Sequence, residues 1–431
     1  MIKVFQQGDP EREAFLTRLK GRQVEPPPEI ETSVRAILAG VKAKGDAALF
    51  EYAKEFDGAL LSAGAIRAKE AEVQAAYQAI PPKALEALKT AHARILAYHE
   101  KQRRPSWFME EEGAILGQVV RPLERVGIYV PGGKATYPST VLMNATPAAV
   151  AKVPSIVMCT PVGPDLTVNP AILVAADLAG VKEVYKVGGA QAIAALAYGT
   201  ESIPEVDKVV GPGNIYVTTA KRLLYGQVGI DFLAGPSEML VLADDSANPA
   251  SVAVDLLAQA EHDPLASALL LTPSSTLADA VLKELKGQVA DLPRREIVEA
   301  SLGQWGAIIL VEDLDEAVAL ANQVAPEHIE LLVEDPWALL PFIKKAGAVF
   351  LGASSPGAAG DYVAGPNHVL PTGGTARFFS PLSVEDFQRR SSVVAFSSKK
   401  LEELGPSIIE LAMLEGLEAH ARSVKVRRKD T

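Results

Sequence analysis

The chain is short of cysteine, of histidine and of long apolar runs, and each shortage narrows what it can be. Cys159 is the only cysteine, so no internal disulfide and no thiolate metal cluster can form. Any metal must be held by nitrogen and oxygen ligands. No stretch is apolar over the length that spans a bilayer, and the opening "MIKVFQQGDPEREAF" has neither an apolar signal core nor a cleavage site. We therefore expect a cytoplasmic protein. Basic residues are outnumbered, 42 against 53 acidic for a formal charge of −11, and the one dense basic run is "VKVRRK" near the end. That leaves no broad electropositive face and argues against nucleic acid as a partner. Neither a Walker A sequence nor G-x-G-x-x-G occurs, so no single motif announces a nucleotide site.

What is present is a long, apolar-rich chain. Its 431 residues, 48% of them hydrophobic, suffice for two or more packed domains. Residues 31 to 104 show apolar positions at helical spacing, as in "SVRAILAGVKAKGDAALFEYAKEF" and "ALEALKTAHARILAYHEKQ". His92 and His99 fall in this helix pattern and read as packing or surface residues. From residue 125 short β-type runs alternate with helix-length segments: "GIYV", "SIVMC", "VYKVG", "KVVG" and "MLVLA", then "ALLLT", "AIILV", "IELLV" and "AVFLG". This alternation predicts an α/β protein with two parallel-sheet units and a ligand cleft between them. The segment after residue 381 reads as a mainly helical tail, separate from both sheets, that packs on something else. Cys159, in an apolar strand pattern, reads as a small core residue.

The first unit has three glycine-rich turns, each after an apolar run: "YVPGGK" at 129–134, "VGGAQAIAALA" at 187–197 and "GPGNIYV" at 211–217. The second and third are placed to open helices whose N-termini face a phosphate. Tyr129, Gln191 and Asn214 stand in these turns as candidate nucleotide contacts. The sharper chemistry lies later. In "LLAQAEHDP" Gln259 and His262 are three apart, which on a helix puts both on one face. "NQVAPEHIELLV" sets Glu327 beside His328 at the rim of the second sheet, a candidate acid–base pair because imidazole titrates near neutrality. "SSPGAAGDYVAGPNHVLPTGGTARF", at 354–378, is a turn-rich segment that carries Asp361, Asn367 and His368. Such segments aim a few polar groups. Glu415 and His420 stand on the tail, about 140° apart if one helix carries both.

Together these segments, with "ERVGIYVPGG", "FLAGPSE" and "EGLEAHA", identify a chain that resembles the histidinol dehydrogenase family over nearly its whole length. The resemblance implies the NAD-dependent, four-electron oxidation of L-histidinol through L-histidinal to L-histidine, the last step of histidine biosynthesis. It implies a zinc ion held by Gln259, His262, Asp361 and His420, a hard nitrogen and oxygen set that positions the substrate. These four positions, with Ser237, His328, His368 and Glu415, are the implied substrate contacts. His328 is the implied proton acceptor during hydride loss, Glu327 the implied activator of water, and Tyr129, Gln191 and Asn214 the implied NAD contacts. The fold implied is a pair of incomplete Rossmann-like, aldehyde-dehydrogenase-like domains with small helical N- and C-terminal domains. The boundaries expected are 1–25 for an arm, 26–125 with 237–380 for the catalytic unit, 126–236 for the NAD unit and 381–431 for the tail. The tail is implied to enter the partner's active site in a homodimer. Asp263 departs from the small residue expected after His262, and reads as a turn cap. On the residues alone a zinc hydrolase using Glu327 as base, or a non-catalytic nucleotide-binding protein, stays open; formation of reduced NAD with histidinol separates the three.

Overall fold

Two parallel sheets organise the chain, and their topology follows from apolar runs that are buried on both faces. The computed structural model describes residues 2–21, 26–132 and 136–428. In chain order the strands are β1 (Lys3–Phe5), β2 (Trp107–Glu111), β3 (Ala114–Pro122), β4 (Arg125–Tyr129), β5 (Ser155–Cys159), β6 (Glu183–Tyr185) and β7 (Lys208–Val210). They continue as β8 (Gly229–Ile230), β9 (Glu238–Ala243), β10 (Ser267–Thr272), β11 (Ala307–Leu310), β12 (His328–Leu332), β13 (Ala348–Leu351) and β14 (Gln388–Phe396). A five-stranded sheet has the order β6-β5-β4-β7-β8, and a six-stranded sheet the order β1-β11-β10-β9-β12-β13. Every recorded pairing within both is parallel. β5, β10 and β12 run "SIVMC", "SALLLT" and "HIELL" with hardly an exposed residue. The expected α/β class is therefore what forms, and Cys159 sits fully buried in β5 as a core residue.

In each sheet the chain runs outward in one direction, returns, and continues in the other. The reversal falls between β4 and β7 in the five-stranded sheet and between β9 and β12 in the six-stranded one. Both places leave a crevice, because consecutive crossover helices there lie on opposite faces.

Three parts complete the architecture. The helices Pro28–Lys44, Asp46–Asp57, Glu70–Ala79 and Pro82–Glu100 bury Val34, Leu38, Leu49 and Ile95 in one core with Val126, Ile128 and Val157 of the five-stranded sheet. These helices thus pack on the five-stranded sheet. The amino-terminal segment is no loose arm: β1 pairs with β11, and Phe5, Phe15 and Leu16 join the core of the six-stranded sheet. The tail is not only helical. β14 pairs antiparallel with β3 along nine residues and, with β2, forms a three-stranded sheet. Its polar and basic stretch "QRRSSVVAF" hides the strand because both faces are largely exposed.

No helix among the described residues is long and apolar enough to cross a membrane.

Candidate active site

Glu327 and His328 lie where the helix Leu314–Val324 ends and β12 begins. Ala325 closes that helix in the left-handed region, and Pro326 prevents it from continuing. Both side chains are buried, and both are fixed by the peptide groups of one residue on the neighbouring strand. The Glu238 N–H donates to Glu327 Oε2 at 2.8 Å, and the Glu238 carbonyl lies 3.1 Å from His328 Nδ1. A carbonyl only accepts, so Nδ1 carries a proton and Nε2 is the ring nitrogen that can gain or lose one. Nε2 faces Asp361 Oδ1 at 3.7 Å, and Nδ1 lies 3.6 Å from Glu327 Oε2. Phe350 stacks beside the ring at 5.9 Å between centroids.

Burial pushes the Glu327 carboxyl up to about 7, against the opposing pull of His328 and the Glu238 N–H. Burial alone would lower His328, but the carboxylates of Glu327 and Asp361 outweigh it and hold the imidazole near 9. Asp361 resists its own desolvation because His328 stands beside it, and its carboxyl lies below the usual range. Both groups are thus raised, the carboxyl from 4.5 to about 7 and the imidazole from 6.5 to about 9, a perturbation of the kind that marks acid–base sites.

Asp361 belongs to the short helix Gly357–Tyr362, so the segment expected as loop is helical at this point. His368 lies behind it, with Nδ1 2.8 Å from the Asp361 carbonyl, and burial lowers its imidazole. Asn367 plays a packing part instead: it donates to the Met143 carbonyl at 2.7 Å and meets fully buried His99 at 3.2 Å.

Gln259 is buried in the last turn of the helix Pro249–Ala260. His262 lies beyond the end of that helix, so the two are brought together by a turn and not by a shared helical face. The His262 N–H bonds the Gln259 carbonyl at 3.3 Å. Asp263 caps this turn, accepting from the Leu265 N–H at 2.8 Å. His262 acts on both Asp361 and His368 electrostatically, which places the three about one site. Ser237 is half-buried immediately before β9, and its carbonyl accepts the Ser267 N–H.

The donor set suits a divalent cation. One terminal atom of the Gln259 amide is buried without a hydrogen-bond partner; turned so that its oxygen takes that place, the amide offers a cation an unused acceptor, and imidazole with carboxylate completes a nitrogen and oxygen set. Among the described residues no three His, Cys, Asp or Glu side chains gather to hold a metal, so one chain offers His262, Asp361 and the Gln259 amide. His420 is elsewhere. The tail bends at Gly416, whose φ is +73°, so Glu415 caps the helix Ser398–Leu414 and His420 lies in a separate helix, Glu418–Lys425. The assumed single helix with its fixed angle does not exist. Both residues are exposed.

The glycine-rich turns gather at the carboxyl edge of the five-stranded sheet. Tyr129 ends β4; its buried hydroxyl accepts the Gly189 N–H at 3.1 Å and is pushed up to about 12, chiefly by burial. Gln191 is buried in the first turn of the helix Gly189–Tyr198. Asn214 caps the helix Ile215–Leu224, accepting from the N–H groups of Tyr216 and Val217. Gly211 has φ +114°, and a Cβ there would lie 2.1 Å from the Tyr129 carbonyl oxygen; only glycine lets the β7 turn close on β4. Gly133 and Lys134 of the first turn lie outside the described residues. Two features had no sequence signal. The Asp231 carboxylate takes the Gly211 N–H while buried Lys221 holds the Gly211 carbonyl and pairs with Asp231, and the Glu238 peptide orients the acid–base pair. A backbone role leaves no trace in residue type.

Tyr362, beside Asp361, is raised by burial and then by Asp361, Glu261 and Tyr137. Tyr137 leads into the helix that follows β4. The same helix is met by the segment that carries Asp361, through the Asn367 bond to the Met143 carbonyl.

Comparison with known proteins agrees with this arrangement. A family model described as Histidinol dehydrogenase matches residues 20–428. A protein named histidinol dehydrogenase from Syntrophotalea carbinolica is 52% identical, with all of both chains covered. One from a Synechococcus species is 55% identical over 93% of this chain and 92% of its own. The crystal structure of histidinol dehydrogenase from Elizabethkingia anophelis superposes with a TM-score of 0.94 at 38% identity, covering 99% of this chain and 98% of that one.

Proposed function

Since the chain belongs to the histidinol dehydrogenase family and is an NAD-dependent oxidoreductase, we propose that it converts L-histidinol to L-histidine at the amino edge of its six-stranded sheet. Glu327 and His328 are the reacting protein groups. The observation that carries this reading is the buried pair itself, oriented by one peptide and faced by Asp361. A zinc ion held by these residues would grip the substrate's nitrogens, and each of the two oxidations would pass one hydride to its own NAD molecule.

The chain's own residues handle the protons. Oxidation of the alcohol needs a base for the hydroxyl proton, and His328 Nε2 is the ring atom free to serve. The charges of Glu327 and Asp361 favour its protonated form, and an Asp361 carboxylate engaged by a metal would favour that form less. Oxidation of the aldehyde needs water, and Glu327, poised at about 7, takes a proton from it. Gln259, His262 and Asp361 hold the metal, and Ser237 and His368 line the substrate. Tyr129, Gln191 and Asn214 shape the NAD site at the other sheet.

His420 supplies the fourth metal ligand, and Glu415 a substrate contact, from the partner in a homodimer in the cytoplasm. Supporting this, both stand exposed on a tail that packs on β14 and on itself. The tail and the three-stranded sheet expose Leu411, Leu414, Val426, Trp107, Phe108 and Val394, an apolar surface that invites a second copy.

The test is the half-reaction. With Glu327→Gln, oxidation of supplied histidinal should fall by about 10²–10⁴, while the first oxidation of histidinol suffers much less. Equal losses would refute the division of roles. Subunit exchange tests the shared site: His262→Ala and His420→Ala, each inactive, should recover about a quarter of full activity when mixed, since half the dimers then hold one sound site of two. Mixtures that stay inactive despite confirmed exchange would exclude it.

A further inference from the structure

The residues assigned above to metal and proton transfer stand on three elements: the helix Pro249–Ala260 with Gln259, β12 with His328, and the helix Gly357–Tyr362 with Asp361. A second acidic pair joins the same three elements. Glu330 follows His328 by two positions on β12, so both lie on one face of the sheet, and it is fully buried. Asp255 precedes Gln259 by four positions, one turn earlier on the same helical face. The carboxyls of Asp255 and Glu330 stand within hydrogen-bonding reach of each other. Glu330 Oε1 also accepts the Gly357 N–H at 2.7 Å, and Gly357 opens the helix that carries Asp361. A Cβ on Gly357 would lie 2.6 Å from Met239 Cε and 3.3 Å from Glu330 Oε1, so the backbone sits against the carboxyl as closely as glycine allows.

Of the two carboxyl groups Glu330 is fully buried and Asp255 half-buried, and such a pair in contact favours a shared proton over two charges. Burial and the Asp255 charge raise Glu330 to about 8, and burial raises Asp255. Glu330 Oε2 is buried with no ordinary donor, and a proton shared with Asp255 satisfies it. The remaining titratable group acting on Glu330 is His328, from its own strand.

We propose that Asp255 and Glu330 form a proton-bridged positioning pair that locks the three elements bearing Gln259, His328 and Asp361 at the spacing the metal and the base require. It rests on the residue assignments under Proposed function, and it adds a supporting layer that touches neither substrate nor metal. Loss of such support behind metal ligands costs ten- to hundredfold in metal affinity.

The experiment uses the purified full chain and reads Zn²⁺ affinity by competition with a chelator, alongside kcat and KM. Glu330→Leu removes both hydrogen bonds at similar volume, whereas Glu330→Gln keeps the acceptor for Gly357 and offers an amide N–H to Asp255. Expected are Zn²⁺ binding weakened about ten- to hundredfold in the leucine variant, a lower kcat with KM for NAD unchanged, and recovery to within about threefold of the parent in the glutamine variant. Should the leucine variant fail to fold, Asp255→Ala, on a half-exposed position, is expected to weaken Zn²⁺ in the same direction. Folded leucine or alanine variants with parental Zn²⁺ affinity and kcat would overturn the proposal, as would equal losses in the glutamine and leucine variants. The underlying metal assignment fails separately, through a His262→Ala variant that retains full Zn²⁺.

Discussion

The five-stranded and six-stranded sheets are built alike and used from opposite ends. In the first, Tyr129, the Gly188–Gly189 turn and the Gly211–Asn214 turn all follow strands, so the crevice between β4 and β7 opens at the carboxyl edge. There the helices Gly189–Tyr198 and Ile215–Leu224 begin, and helix N-termini present free N–H groups and partial positive charge suited to phosphates. In the second, Glu238 and His328 open β9 and β12, and Glu327 precedes β12. The helices Pro249–Ala260 and Leu314–Val324 end there. Helix C-termini present carbonyls and partial negative charge, which favour a cation and a protonated imidazole. On the proposed reading, edge polarity sorts the two tasks, anion binding at one sheet and metal and proton chemistry at the other.

The largest test of this division is His328→Ala, expected to lower kcat by about 10²–10⁴ while reduced NAD still binds, as fluorescence titration would show. Loss of nucleotide binding in that variant would break the separation. The converse change is Gly211→Ala, which places a Cβ against the Tyr129 carbonyl at a φ of +114°. It should raise KM for NAD at least about tenfold and cost about 1–3 kcal/mol in stability, with zinc content unchanged by elemental analysis.

A smaller effect is the pH dependence of stability in the chelator-treated protein. Glu327 and Glu330 titrate higher when folded, about 7 and about 8 against an ordinary 4.5. Their protonated forms therefore favour the fold at low pH, and that contribution is lost as pH rises through the raised values. His328 is raised from 6.5 to about 9, so its contribution is full below 6.5 and lost as pH passes 9. All three act in the same direction, against the imidazoles of His92, His99 and His368 that burial lowers; the readable effect is therefore that of a single replacement, and Glu330→Gln should raise Tm relative to the parent progressively as pH rises from 5 to 9. A Tm difference that does not change over this interval would contradict the raised Glu330 carboxyl. The smallest expected change is Asn214→Ala, which removes a helix cap at the carboxyl edge and should cost about 1 kcal/mol, measured by denaturant titration, leaving zinc affinity untouched.

The sequence alone determined the parallel strands, because a strand buried on both faces must be apolar throughout, as β5, β10 and β12 are. It also marked candidates by type and spacing, Glu327 beside His328 as an acid–base pair, Gln259 three positions before His262, and Asp361 in a turn-rich segment, while their metal roles were implied only by the family resemblance. It did not reveal β2, β3 or β14, whose exposed antiparallel pairing tolerates Arg389, Arg390 and Ser391, nor the break at Gly416 that separates Glu415 from His420. Only the tertiary structure brought Asp361 to His328 across 33 positions of sequence, set the Glu327 and His328 side chains on the Glu238 peptide, and joined Asp255 to Glu330. Those relations depend on strand neighbours and backbone hydrogen bonds, which any residue supplies equally well, and so leave no pattern to read in one dimension.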